Sequence, residues 1–378
     1  MQYKKIIEIS DFENNKRIPL SSLERQRLKK KYPYYGAQGV IDKVESYIFD
    51  GNYLLVAEDG ENLSSRKDNI SRLANGKFWV NNHAHILKFE NDVDRLYVNY
   101  YLNNLDLSAY ITGSAQPKLS KANLSKVKIS WPEEKKREKI VYLLNNFDRK
   151  IEVNNKIIDN LEQQAQAIFK SWFIDFEPFQ DGEFIDSELG LIPKGWKVIK
   201  FGDLLKFVKG KKPKKSLDIL NPVPYFVKGV VDGVESPQMV DSKGVILIDE
   251  LDTIMLMDGA NSGNVYYGFK GALGSTFSLL ETSPVYKEVF YWYLFTNESQ
   301  IKNQNTGSAI PHANKDYINQ LTIAIPKDIE SSYINTLLTT YRKQIISLRK
   351  QNQKLAETRD LLIPKLMSGE IDVSDLDL

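Results

Sequence analysis

One spacing constrains this chain more than anything else in it. From Ile140, apolar residues fall at Leu144, Phe147, Ile151, Ile158, Leu161, Ala165, Ile168 and Trp172, and Asn154 takes the one remaining slot, so steps of four and three alternate. This heptad seam predicts a coiled coil over an ordinary surface helix. It returns 194 positions later, the interval between Thr112 and Thr306, at Ile334, Leu338, Tyr341, Ile345, Leu348, Asn352, Leu355, Arg359, Leu362 and Leu366. Just upstream, Thr112-Gly113-Ser114-Ala115-Gln116-Pro117 matches Thr306-Gly307-Ser308-Ala309-Ile310-Pro311. Lys121, Ile129 and Pro132 match Lys315, Ile323 and Pro326 at the same interval. Agreement at so many positions is the mark of an internal duplication.

Two long helices in one chain can pair parallel or antiparallel, and the seam asparagines choose. A polar residue in a seam is costly unless a partner hydrogen-bonds to it, so Asn154 should face Asn352. In an antiparallel pair that register sets Ala165 against Tyr341, Leu161 against Ile345, and the Arg359 guanidinium against the Phe147 ring. The expected architecture is α+β: two β-rich domains, each followed by a long helix, the helices forming an antiparallel coiled coil with pseudo-twofold symmetry. The expected boundaries are 1–131 and 179–325 for the globular parts, 132–178 and 326–368 for the helices, and 369–378 for an acidic tail.

The 51 basic and 49 acidic residues leave a net charge of +2, so any nucleic-acid surface must come from local clustering. There is no cysteine, which excludes disulfides and thiolate zinc sites and suits a reducing cytoplasm. The amino end, with Lys4, Lys5 and Glu8, lacks the apolar core of a signal peptide. The most apolar stretch, Val245 to Met257, is interrupted by Asp249, Glu250 and Asp252, which argues against a membrane span. A soluble cytoplasmic protein is expected.

Short runs such as Tyr53-Leu54-Leu55-Val56-Ala57 and His85-Ile86-Leu87-Lys88-Phe89 read as strands, with Asp50-Gly51, Asp59-Gly60 and Asn75-Gly76 as turns between them. Leu96 to Leu105 reads as a short helix packed on this sheet. After the first long helix, Phe176 to Pro193 reads as a polar linker, and Gly195-Trp196 opens the second globular part. Landmarks of the first part return there at varying intervals: Pro33-Tyr34-Tyr35 as Pro224-Tyr225-Phe226, and Asp59-Gly60-Glu61-Asn62 as Asp258-Gly259-Ala260-Asn261. The helices are therefore a rigid repeat, while the globular parts share a plan and differ in their loops, where function usually varies.

No self-sufficient catalytic constellation stands out, and neither a metal nor a cofactor is expected. Asn221-Pro222-Val223-Pro224-Tyr225 is split by its valine from an amino-methyltransferase signature and reads as a Pro-rich turn. Glu133-Glu134-Lys135 reads as a carboxylate-bearing first helical turn. His83 and His85 alternate on one strand face without a third ligand. Basic runs are more informative. Arg25, Arg27, Lys29, Lys30 and Lys31 precede the first Pro-Tyr landmark, and Lys206, Lys209, Lys211, Lys212, Lys214 and Lys215 precede the second. Two runs at comparable places in duplicated domains point to phosphate binding, though each run alone could be a solvated face. The duplicated loops add Ser114, Gln116, Lys118 and Lys121 in one copy and Ser308, His312, Asn314 and Lys315 in the other, side chains suited to base edges and phosphates. A structural turn launching the long helix is the alternative.

Over its whole length the chain resembles the specificity subunits of bacterial Type I restriction-modification systems. The resemblance rests on Phe169-Lys170-Ser171-Trp172-Phe173-Ile174-Asp175-Phe176-Glu177-Pro178-Phe179, on Leu191-Ile192-Pro193-Lys194-Gly195-Trp196, and on Leu361-Leu362-Ile363-Pro364-Lys365-Leu366-Met367-Ser368-Gly369-Glu370-Ile371, together with the duplicated loops. It implies two target-recognition domains, each reading half of a split sequence in double-stranded DNA. It also implies an antiparallel helical spacer that docks two methyltransferase subunits and, through the complex, the restriction subunits. The chain itself would be non-catalytic. The competing reading is a duplicated coiled-coil adaptor that binds protein and has no DNA role.

Overall fold

The computed structural model describes residues 2–214, 219–307, 309–329 and 332–376. The two long helices run over Glu134–Phe173 and Tyr333–Ser368. Contacts divide the chain into one unit of Met1–Ile151 with Gln353–Leu378 and another of Glu152–Asn352. Each unit thus owns one globular part and a piece of both long helices. Contacts group the chain this way because antiparallel pairing sets the end of one helix beside the start of the other.

Each unit shows that pairing by itself. In the second, Asn154 is fully buried and donates to Asn352 Oδ1 at 2.8 Å and to Gln351 Oε1 at 2.7 Å, and Arg349 reaches Glu162 at 2.8 Å. In the first, Arg359 does not seek the Phe147 ring. It pairs with Asp148, which also accepts from the Tyr100 hydroxyl. A charge-assisted bond to a carboxylate outweighs a cation on an aromatic face. Within the acidic segment, Val373 is buried, and Lys136 reaches Asp372 at 3.0 Å.

The first unit holds a six-stranded sheet in the spatial order Asp11–Phe12, Ala84–Lys88, Phe49–Ala57, Ser71–Val80, Tyr32–Gly36, Gly39–Val44. Asp50-Gly51 and Asn75-Gly76 are not turns: Gly51 pairs with Gly76 in the middle of the long Phe49–Ala57 and Ser71–Val80 ladder. Glycine facing glycine, both at positive φ, lets these strands bend without breaking their register. Helix Asp92–Asn104 starts a turn earlier than its apolar pattern suggests, because Asn91 caps it by accepting from the Asp94 N–H at 2.8 Å. Strand Tyr3–Lys5 pairs with Lys128–Ser130.

The second unit repeats this plan with Trp196–Lys200 on Thr322–Pro326 and two four-stranded sheets. The Pro-rich turn expected at Asn221–Tyr225 is a strand, Pro222–Phe226. Both prolines are tolerated because its second neighbour, Gly271–Leu273, pairs only with Tyr225 and Phe226, beyond them. Phe176 and Phe179 fold back onto Trp196, with ring centroids 5.3 and 5.0 Å away, so the segment expected to be a polar linker is packed, and hairpin Phe184–Ser187/Gly190–Pro193 follows.

The second unit buries an ion pair against the helices. Arg342 is fully buried, with Nε 3.3 Å from Glu288 and its guanidinium between the Tyr267 and Tyr291 rings at 4.6 and 4.3 Å. Burial pushes the Glu288 carboxyl up, and the Arg342 charge pulls it back. Removing one partner leaves the other charge stranded, so Arg342→Ala should destabilise this unit by about 3–5 kcal/mol in urea unfolding. Arg342→Met with Glu288→Leu should recover most of that loss, and a double variant no better than the single one would contradict this account.

Candidate nucleic-acid interface

The duplicated loops close in the same way. In the first unit Thr112 and Lys118 exchange backbone hydrogen bonds at 2.9 and 2.7 Å, and in the second Thr306 and His312 do so at the same two distances. Each loop is pinned to the Asp-Gly turn of its unit. The Gly60 N–H donates to Pro117 O at 3.2 Å, and the Gly259 N–H to Pro311 O at 2.9 Å. Gly113 and Gly307 sit at φ of 84° and 89°, and a Cβ on Gly113 would stand 2.5 Å from the Gln116 carbonyl oxygen. Only glycine fits such a closure. What it presents is the tip: Ser114 and Gln116 are exposed and form no hydrogen bond among the described residues.

Behind the first loop lies a charged cluster. Glu58 accepts from Arg17 at 2.6 Å, with Lys118 at 3.5 Å and His85 at 3.6 Å. Burial pushes the Glu58 carboxyl up, but these three groups together hold it below the usual carboxylate range. His85 is fully buried, with Nε2 2.7 Å from Leu119 O and Nδ1 2.9 Å from the Asn14 amide. Those partners require a neutral ring donating from Nε2. His83, by contrast, lies in a turn outside strand Ala84–Lys88, so the two histidines do not share a strand face.

Each loop is followed by a lysine over an aromatic ring. Lys121 Nζ stands 5.2 Å from the Phe12 centroid, and Lys315 Nζ stands 5.5 Å from that of Phe207. Phe207 lies on strand Lys206–Lys209, so Lys315 and the start of the second basic run share one neighbourhood.

The two basic runs are not alike. Arg25 donates to Asp42 at 3.0 Å and lies over the Tyr34 ring, and Lys30 reaches the same carboxylate at 2.9 Å. The Lys30 hydrogen bond, helped by the Lys43 N–H and Arg25, holds Asp42 down to about 2. Lys31 covers the Tyr32 ring, and Arg27 and Lys29 are exposed. In the second run Lys209, Lys211, Lys212 and Lys214 are all exposed, and none forms an ion pair among the described residues. Lys215 and Ser308 lie outside the described residues.

A family model for the Type I restriction modification DNA specificity domain matches residues 1–163 and again 193–357, one copy for each half of the duplication. The chain belongs to this family. It is 30% identical over 301 residues to the Type I restriction enzyme MjaIX specificity subunit of Methanocaldococcus jannaschii, covering 74% of this chain and 70% of that one. The Type I restriction enzyme HindI specificity subunit of Haemophilus influenzae is 22% identical over 337 residues, covering 68% and 71%. The crystal structure of the Type I restriction-modification system S subunit from M. genitalium shares the fold, with a TM-score of 0.62 at 16% identity over 97% of this chain and 95% of that one.

For a specificity subunit, two groups stand out among the loop and basic residues named from sequence. Ser114, Gln116, Lys209, Lys211, Lys212 and Lys214 keep free polar groups at the surface. Arg25, Lys30 and Lys118 are engaged by carboxylates, and Asn314 is a helix cap whose amide oxygen accepts from the Tyr317 N–H at 3.0 Å. Sequence reasoning passed over Phe12 and Phe207, which a search at an interval of 195 would have paired. Among the described residues no cluster of three or more His, Cys, Asp or Glu could hold a metal, and no helix is long and apolar enough to cross a membrane.

His85 gives the loop a pH dependence. Burial lowers this imidazole, outweighing the raising pull of Leu119 O and Glu58. A depressed histidine contributes stability that is present above its unfolded value and lost as the pH falls. The melting temperature of the first unit should therefore drop as pH falls below about 6.5. His85→Gln, which can keep one donor and one acceptor, should flatten that profile, and identical profiles for wild type and variant would remove His85 as the cause.

Proposed function

We propose that this Type I specificity subunit reads a split target in double-stranded DNA, one half-site for each unit, within a cytoplasmic complex. In this reading the paired long helices scaffold two methyltransferase subunits, and the restriction subunits join through the complex. Methylation and cleavage belong to those partners. The observation that carries the reading is the twice-built loop: one backbone closure, with Gln116 exposed in one copy and Ile310 in the other, in a chain of the DNA specificity family. An adaptor without a DNA role would leave both that arrangement and the unpaired lysine run without a purpose.

The helices supply the ruler. The 40 residues of the first span roughly 60 Å at about 1.5 Å each, more than the roughly 34–36 Å between successive major-groove turns. Inserting one heptad in both long helices should lengthen the unread gap and leave both half-sites intact, as read by methylation sequencing of the host genome. An unchanged gap would mean that the helices do not set it.

The phosphate contacts should be lopsided. Replacing Lys209, Lys211, Lys212 and Lys214 by Gln should weaken binding to all sequences and reduce the slope of log K against log salt by about three to four. Replacing Arg25 and Lys30 should change that slope less, because both are held by Asp42, which offsets one of their two charges. Equal slopes for the wild type and the lysine variant would take the second run out of the interface.

A further inference from the structure

In sequence the loop tips differ at one position, Gln116 against Ile310, and the same chemical group stands beside each loop. In the first unit it is His83, half exposed, with Nδ1 2.8 Å from Asp59. In the second it is His312, equally exposed, with Nδ1 2.8 Å from Asp258. The aspartates are counterparts, each opening the Asp-Gly turn that pins its loop, and each joined by a backbone bridge to the residue that closes the loop, Lys118 or His312. The histidines are not counterparts. His83 lies in the turn between strands Ser71–Val80 and Ala84–Lys88, whereas His312 belongs to the loop, and the duplication matches His312 to Lys118.

One group delivered to one place from two unrelated chain positions is not a leftover of duplication. Each aspartate fixes its ring through Nδ1 and leaves Nε2 without a partner among the described residues. A protein that reads two half-sites must vary what touches the bases, but it can keep what touches the sugar-phosphate backbone, which carries no sequence information. We propose that His83 and His312 are paired backbone clamps, each donating Nε2–H to a DNA phosphate while Asp59 or Asp258 accepts from Nδ1–H. Both ring nitrogens then donate, one to a carboxylate and one to a phosphate. Near His83 the remaining charges are Arg17, Glu58 and Lys118, with Glu58 2.6 Å from Arg17 and 3.5 Å from Lys118. This inference rests on the proposed DNA-facing placement of the loops.

The test uses the chain purified with its methyltransferase subunits and a labelled duplex carrying the motif mapped by methylation sequencing. His83→Gln with His312→Gln should reduce the slope of log K against log salt by about two, one for each ring, with an unchanged methylated motif and an unchanged melting temperature. An unchanged slope overturns the clamp, and an altered motif overturns it in favour of a base contact. Ser114→Asp with Gln116→Asp, in parallel, should weaken binding because it sets carboxylates against DNA. If only this loop variant weakens binding, the clamp falls and the loop placement stands; if neither variant does, the placement itself falls.

Discussion

A buried asparagine has to find a partner, and in this molecule Asn154 finds Asn352. With its side chain wholly out of water, its amide would cost several kilocalories per mole left unpaired in an apolar seam, and most heptad slips that keep apolar residues in contact would leave it so. One hydrogen bond therefore selects among packings that the hydrophobic effect scarcely separates. The antiparallel sense then decides the organisation of the chain, because it builds each unit from pieces distant in sequence: residues 1–151 with 353–378, and 152–352 between them.

Each globular part is locked to its helices by buried charge, and the duplication has been rewritten at these locks. Asp94 and Glu288 occupy matching positions on corresponding helices, but Asp94 pairs with Arg137 at 2.7 Å, whereas Glu288 pairs with Arg342. At the position matching Arg342 the first unit carries Asp148, a carboxylate in place of a guanidinium, and it draws in Tyr100 and Arg359. Breaking either arrangement strands a charge, so each unit tolerates change only in both partners together. Divergence after duplication has kept the locks and changed their chemistry.

The loops follow the opposite economy. Their closure is repeated hydrogen bond for hydrogen bond, down to glycines at nearly the same φ, while the exposed Gln116 of one copy is replaced by Ile310 in the other. A rigid frame with replaceable tips suits a protein that must read two unlike half-sites, because a tip can change without disturbing the core beneath it. The lysine run of the second unit remains free where the arginine and lysine of the first are tied to Asp42, so two domains of one plan differ in the charge they can offer.

The sequence by itself determined the duplication, the seam, its asparagines and the β-rich character of both halves, because heptad spacing and repeated Gly and Pro positions are local and periodic. It also singled out the loops, since a closure that only glycine permits leaves glycine in the text. Tertiary structure alone decided whether a given polar group was free. Gly51 meets Gly76 across a ladder instead of making a turn, Arg359 takes Asp148 over Phe147, Asn314 caps a helix, and His83 and His312 arrive beside equivalent aspartates from unrelated positions. Composition says which groups a chain possesses; whether each is spent on an internal partner or left for an outside one depends on neighbours tens or hundreds of residues away, which only the folded chain brings within hydrogen-bonding distance.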